Sequence, residues 1–549
     1  MKRTHILPVL LIAGLLLHTV PSTAQNDKSF EISKNLEIFA KIFKDVNAHY
    51  VDEIEPGKVV KTAIDAMLSS LDPYTNYYPE SDMEDVKLQL LGEYGGIGAL
   101  IHQKGEDVFI SSPYEGLPAD QAGLRAGDRI ISVGGESAKG KTTAEVSSIL
   151  RGQAGTPITL KLERNGETFE RTLVRRAIKL ENVPYYGLVG SDIGYIKLNE
   201  FTQDAAKNIR AALLSLKQTQ PDLRGLILDL RGNGGGLLNE AVDIVNLFVR
   251  QGELIVETKG KIAARNTRHF TTTKPVDTEL PLVVLINGYS ASASEIVSGS
   301  LQDLDRAVIV GSRSFGKGLV QNILPENYNT QMKITVSKYY IPSGRCIQAL
   351  DYAHRDENGR ATKIPDSLKT AFKTRHGRTV YDGFGIEPDV EMKDQYMSSI
   401  SMELVAKLHY FDYATRFRRE HESIAKPSEF EITDNIYNDF KQYLSTQKLD
   451  YSTATEHALK ELRKVAKEEN YLDSIAPTLD ALEQRFRDDK AGDLDKFRPE
   501  VASLLKSEIL SRYYYERGRI EGSLRGDPDV EKAIEILHDP AQYKKLLSK

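Results

Sequence analysis

Two uninterrupted apolar runs constrain this chain most. Leu226-Ile227-Leu228-Asp229-Leu230 and Pro281-Leu282-Val283-Val284-Leu285-Ile286 read as strands buried on both faces. Each is followed by a polar or glycine-rich turn and a helix, so residues 179–394 are expected to form an α/β core. A chain of 549 residues exceeds one core at ~100–200 residues per domain. With 40% hydrophobic and 27% charged residues it is neither disordered nor membrane-embedded in composition.

The flanks are of other kinds. Lys2 and Arg3 precede an apolar run from Ile6 to Leu17, then Pro21-Ser22-Thr23-Ala24, the pattern of a signal peptide over residues 1–24. The protein is therefore expected to be exported and periplasmic, or anchored if that segment is retained. Residues 25–92 read as a helical entry, with Phe30, Ile32, Leu36, Phe39, Ile42, Phe43 and Val46 on one face. Pro56-Gly57 interrupts it, and Leu71-Asp72-Pro73-Tyr74 ends it in a turn. Such a layer must bury its face, which suggests a homodimer. Residues 395–549 read as a charge-laced helical domain, solvated or self-packing, with no evident chemistry.

Between 93 and 178 the texture is strand-like and punctuated by glycine. Gly95-Gly96-Ile97-Gly98-Ala99 leads into a strand, followed by Pro118-Ala119-Asp120-Gln121-Ala122-Gly123-Leu124 and Gly127-Asp128-Arg129-Ile130. A helix with Val146, Ile149 and Leu150 and a hairpin around Asn165-Gly166 complete the segment. It resembles a PDZ domain of the kind found in bacterial exported proteases. Such modules add a C-terminal peptide as a strand and receive its carboxylate on backbone amides. Gly96, Ile97, Gly98 and Ala99 form the matching loop.

Chemistry is expected after the second apolar run, in Asn287-Gly288-Tyr289-Ser290-Ala291-Ser292-Ala293-Ser294-Glu295. A serine at a strand-to-helix turn stands near amides that stabilise an oxyanion. Ser292-x-x-Glu295 is also a capping box, and the two readings are compatible. A nucleophilic serine needs a base. His269 lies in a polar stretch with nothing distinctive around it, whereas Lys317 sits in Ser314-Phe315-Gly316-Lys317-Gly318. A lysine acts as a base only when burial or a positive field lowers its pKa. Gln321 is placed to orient the amine.

Other readings fail. Gly311 to Gly318 imitates a phosphate loop but ends in Gly318 instead of Ser or Thr, so no nucleotide is expected. Asp229-Leu230-Arg231-Gly232-Asn233-Gly234-Gly235-Gly236-Leu237 has Leu237 where a dinucleotide fingerprint needs glycine. Its amides can converge on an anion, or Arg231 and Asn233 can simply stabilise the loop. A single cysteine, Cys346, and 11 scattered histidines exclude a disulfide framework and give no metal spacing, so no cofactor is expected. The net charge of −6 argues against a nucleic-acid partner.

Together the motifs resemble the C-terminal processing peptidases, or tail-specific proteases, a serine–lysine family. The matching strings are LDPYTNYY (71–78), the PDZ segment, DLRGNGGG (229–236), NGYSASASE (287–295), FGKGLVQ (315–321), YYIPSGRCIQ (339–348) and GIEPDV (385–390). The resemblance implies a multi-domain α+β fold: an α/β protease core, an inserted β-rich PDZ domain, and helical N- and C-terminal regions. It implies Ser292 as nucleophile, Lys317 as general base and Gln321 as its orienting partner. Gly236 and Ala293 would form the oxyanion hole, with Gly235 a competitor. Substrates would be proteins or peptides with apolar C-termini, and an adaptor or activator protein is a further expected partner. Arg151 would switch between PDZ occupancy and autoinhibition. The polar stretch 349–382 exceeds the family's short link, so substrate contacts there do not carry over. The alternative is a periplasmic PDZ scaffold or adaptor with a silent protease core.

Overall fold

A computed structural model describes residues 23–83, 92–393 and 396–548. The signal-peptide expectation falls almost wholly on residues 1–22, outside the described residues. The chain divides into two compact units, residues 1–77 and 78–549.

In the first unit, α1 (Thr23–His49) and α2 (Pro56–Ser69) are separated by residues 50–55, and Pro56-Gly57, expected to interrupt the helix, opens the first turn of α2. Phe30, Ile32, Leu36, Phe39 and Ile42 of α1 are exposed. The predicted turn is held by Asp72, whose carboxylate accepts from the backbone of Tyr74 and Thr75 at 2.8 and 2.9 Å.

The second unit begins with a β-rich module of its own core. Strands β1 (Glu93–Gly96), β2 (Ala99–Lys104), β3 (Asp107–Pro113), β4 (Arg129–Val133), β5 (Pro157–Arg164), β6 (Glu167–Val174) and β7 (Arg176–Lys179) accompany the short α3 (Pro118–Gln121) and α4 (Thr143–Leu150). The antiparallel sheet runs β2-β3-β4-β5-β6, with β2 at one edge, and β1 pairs with β7. Alternation along β5 buries Ile158, Leu160 and Leu162 against Val146 and Leu150 of α4.

The α/β core follows. Its strands β8 (Tyr185–Val189), β9 (Ile193–Lys197), β10 (Gly225–Asp229), β13 (Leu282–Ile286), β14 (Val308–Gly311) and β21 (Val390–Glu391) form one sheet in that order. Only the β8–β9 pair is antiparallel. Helices α5 (Ala205–Thr219), α6 (Leu238–Asn246) and α7 (Ala293–Asp303) cover one face. A second sheet, antiparallel, contains β11 (Leu254–Gly260), β12 (Thr267–Phe270), β15 (Leu319–Pro325) and β16 (Gln331–Tyr340).

The tail is helical, as expected, and most of it packs on itself. Helices α8 (Ser399–Ala406), α9 (His409–Glu420), α10 (Asp434–Ser445) and α13 (Arg498–Ser523) do self-pack, around Tyr413, Phe440, Leu505 and Ile509, and α11 (Ala454–Glu468) packs on α12 (Leu472–Lys490). The last two, α14 (Pro528–His538) and α15 (Pro540–Ser548), instead cover the second face of the core sheet. Val530, Ile536 and Leu537 meet Ile227, Val283 and Val308 there. A sheet of doubly buried strands needs both faces covered, and the chain's end supplies the second cover.

Residues 349–382 form two small hairpins, β17 (Leu350–Arg355) with β18 (Ala361–Lys363) and β19 (Ala371–Lys373) with β20 (Thr379–Tyr381). The second is anchored by Arg378, whose buried guanidinium donates to Asp305 at 2.6 Å, to the Gln302 carbonyl at 2.9 Å, and to Asp389. Arg378→Ala would leave two carboxylates buried without their cation. The expected cost is about 3–5 kcal/mol in urea unfolding, against no measurable shift for Lys41→Ala in the exposed Lys41–Asp45 pair.

Candidate active site

Three motif loops leave the C-terminal ends of three adjacent parallel strands. Residues 230–237 follow β10, 287–292 follow β13 and 312–318 follow β14. Ligand sites in open α/β sheets form in crevices at these ends. Here the crevice is a cavity of about 440 Å³ whose wall includes Gly235, Gly236, Ser292, Ala293, Lys317 and Gln321. The structure thus brings the sequence-predicted residues of the core to one cavity. His269 does not join them: it lies on β12 with its ring nitrogen 3.0 Å from the Thr267 hydroxyl.

Ser292 immediately precedes α7, a helix buried along its whole length, and holds φ 56° and ψ −112°. A non-glycine residue in that region is strained and is retained only where its surroundings enforce it. The enforcement comes from Glu295. Its fully buried carboxylate accepts from the N–H of Ser292 at 2.7 Å, of Gly316 at 2.7 Å and of Lys317 at 2.9 Å. The Ser314 hydroxyl donates to it at 2.5 Å. Burial pushes the Glu295 carboxyl up to about 7, against the pull of these four donors. The capping reading of Ser292-x-x-Glu295 is therefore correct for the Glu295 half and too small for its role. The same carboxylate joins the serine loop to the lysine loop.

Tyr339, on β16, makes a second joint. Its hydroxyl lies 2.6 Å from the Lys317 carbonyl and 3.1 Å from the Ser292 carbonyl. One proton cannot serve both fully, and the shorter contact is the stronger. Gln321 follows a one-residue register shift between β15 and β16, a feature that re-aims side chains. Its amide nitrogen donates to the Thr335 hydroxyl at 3.1 Å, which leaves its oxygen as an acceptor.

The glycine-rich loop is a scaffold stitched to the serine loop. Asn233 accepts from the Gly235 N–H at 2.9 Å on its side chain, and its carbonyl accepts from the Ala291 N–H at 3.0 Å and the Ser294 hydroxyl at 2.9 Å. Gly235 has φ 104°, and a Cβ there would stand 2.8 Å from the Ser292 Cβ, so only glycine fits. Arg231 is committed to Asp229 at 2.8 Å, Asp527 at 2.9 Å and Asp529 at 3.1 Å. Burial would raise the Asp229 carboxyl, yet Lys197 and Arg231 outweigh it and hold the group below the ordinary carboxylate range. Arg231 and Asn233 thus stabilise the loop, the structural one of the two readings. The amides divide as well. Gly235 donates to Asn233, whereas the N–H groups of Gly236 and Ala293 have no acceptor among the described residues.

In the β-rich module, Gly98 has φ 72°, and a Cβ on it would meet Leu117 at 2.6 Å. The carbonyls of Ile97 and Gly98 accept from Ala119 and Tyr114 at 2.8 and 2.9 Å, fixing the loop beside edge strand β2. The Arg151 guanidinium stands over the Tyr94 ring at 5.3 Å.

Residues 192–353 match Peptidase family S41, residues 109–164 a PDZ domain, and residues 400–537 the C-terminal helical domain of a probable PDZ-protease. A carboxy-terminal-processing protease of Bartonella bacilliformis is 38% identical over 346 residues, 62% of this chain and 79% of that protein. The chain belongs to the carboxy-terminal-processing proteases. These are serine-type peptidases, and a probable CtpA-like serine protease of Staphylococcus aureus is 32% identical over 357 residues, 63% of this chain and 71% of that one. Among solved structures, the photosystem II D1 C-terminal processing protease aligns over 68% of this chain and 96% of its own, at 25% identity and a TM-score of 0.36.

Sequence reasoning passed over Tyr339, Asp527 and Asp529 and undervalued Glu295. Asp527-Pro528 signals a helix start, but nothing local signals its contact with a loop almost 300 positions earlier. Glu295 also gives a measurable linkage. Its folded pKa near 7 exceeds the ordinary 4.5, so its contribution to stability is fully present below pH 4.5 and is lost as pH rises through 7. The stability of the native protein relative to Glu295→Gln is expected to grow by about 2–3 kcal/mol as pH falls from 8 to 4.5, read from unfolding curves. A constant difference would place the carboxyl in an ordinary environment.

Proposed function

We propose that this carboxy-terminal-processing protease is an exported endopeptidase that captures the apolar C-terminus of a protein through its PDZ domain and cuts it with a serine–lysine pair. The observation that carries the reading is the meeting of Ser292, Lys317 and two acceptor-less amides in one cavity. Neutral Lys317 removes the Ser292 hydroxyl proton as Oγ bonds to the scissile carbonyl carbon. The oxyanion is received by the N–H groups of Gly236 and Ala293. The C–N bond then breaks as the lysine ammonium returns its proton to the leaving amine, and water hydrolyses the acyl-enzyme. Gln321 orients the amine. Leu237, Leu238 and Ile296 on the same wall suit an apolar side chain beside the bond to be cut.

Substrate tails add to the free edge of β2, with the loop from Gly96 to Ala99 at the carboxylate. In this reading the domain raises the local concentration of the tail at the cavity.

The reading is tested with a protein ending in an apolar tail. Native enzyme is expected to cut it, with Ser292→Ala and Lys317→Ala inactive but still binding. If the native enzyme and both variants bind the tail equally and none cuts it, the chain is a PDZ scaffold. Cleavage is expected to rise with pH as Lys317 loses its proton, and a flat profile from neutral to alkaline pH would remove it as the base. Tyr339→Phe, which removes one of the two joints between the serine and lysine loops, is expected to lower kcat by about 10- to 100-fold with little change in KM. Gly98→Val, which forces a side chain onto Leu117, is expected to abolish tail binding while a tail-independent peptide is still cut.

A further inference from the structure

The cavity that holds Ser292 contains a cation that the proposed chemistry does not use. Lys333, on β16, stands opposite Ile323 of β15. Ile323 lies two strand positions beyond Gln321, about 7 Å at ~3.4 Å per residue. Gln321, Ile323 and Lys333 line the same cavity as Ser292 and Lys317. Lys333 is half-buried, and its ammonium has neither a hydrogen-bond nor an ion-pair partner among the described residues. Glu200, the carboxylate on the same wall, makes no ion pair with it.

An ammonium withdrawn from water without a counter-ion is costly, and burial accordingly lowers the Lys333 pKa. Two other withdrawn cations in this unit are matched by carboxylates, Arg231 by three aspartates and Arg378 by two, and Arg306 is met by three backbone carbonyls. A counter-ion delivered by the substrate would remove the cost at Lys333. The neighbouring wall, Phe201, Val320 and Ile323, is apolar, so a carboxylate entering there finds a low-dielectric partner.

We propose that Lys333 is a specificity-determining residue that receives a carboxylate of the bound peptide a few residues from the scissile bond. The proposal rests on the reading of this cavity as the peptide site. The carboxylate is either the terminal one of a short tail or an Asp or Glu side chain, and both present the same chemistry to the ammonium.

The test uses the full-length enzyme, matched peptides and ratios of kcat/KM, which do not depend on the fraction of enzyme folded. One arm scans Glu against Gln on each side of the cleavage site. The other compares a free with an amidated C-terminus. Native enzyme and Lys333→Arg are expected to prefer the carboxylate form in one arm by about tenfold. Lys333→Gln is expected to lose that preference, and Lys333→Glu to reverse it toward a Lys-containing peptide. Any contribution of the PDZ domain to the second arm is common to all four enzymes and cancels in the comparison. Ser292-dependent cleavage with the same ratios in native, Lys333→Gln and Lys333→Glu enzymes would overturn the assignment alone. Absence of any Ser292-dependent cleavage would overturn the peptidase reading and this one with it.

Discussion

The buried carboxylate of Glu295 is the constraint on which the arrangement of the cavity depends. It gathers donors from two loops that leave different strands, and its partners include the backbone N–H of both Ser292 and Lys317. Four donors offset part of the hydration that this carboxylate loses on burial. One of the four, from the Ser292 N–H, holds that residue at a positive φ that an ordinary residue would leave. The Tyr339 hydroxyl closes the arrangement from the carbonyl side. Both residues act on backbone groups, so they set where the side chains start without touching the chemistry.

A second dependence runs through Arg231. Its guanidinium ties the end of β10 to the first turn of α14, and α14 with α15 covers the face of the sheet opposite α5 to α7. The loop that carries Gly235 and Gly236 is thereby supported by the end of the chain. Asp229 completes the joint, with Tyr195 at 2.7 Å and Lys197 at 3.3 Å. Charges of both signs are buried together there, and removing any one would leave others unpaired. The cavity wall and the packing of the last helices are in this sense one structure.

Much of the site was legible because its signals are local. A buried strand, a tight turn and a helix start announce Ser292 within a dozen residues, and a glycine-flanked lysine after a strand announces Lys317. Parallel pairing of β10, β13 and β14 then brings the three loops side by side, which the alternation of strands and helices already implied. Glu295 was visible only as a cap, since a capping box and a four-donor hub look alike in sequence. Tyr339 was quoted within a motif but had no assignable partner, because its contacts are with backbone carbonyls of distant residues. The competition between Gly235 and Gly236 was equally closed to sequence, because the bond from the Gly235 N–H to Asn233 forms only in the folded loop.

By itself the sequence determined the α/β core, the β-rich module before it, and which serine, lysine and glycines stand at strand ends. Those features follow from periodicity, turn chemistry and short motifs, which act over a few residues. Only the tertiary structure decided that the final helices belong to the core and that 349–382 folds into anchored hairpins. It alone left Lys333 in the cavity without a partner among the described residues. The physical reason is that burial and charge pairing are set by residues far apart in the chain, and no local pattern records which distant group will supply a cover or a counter-ion.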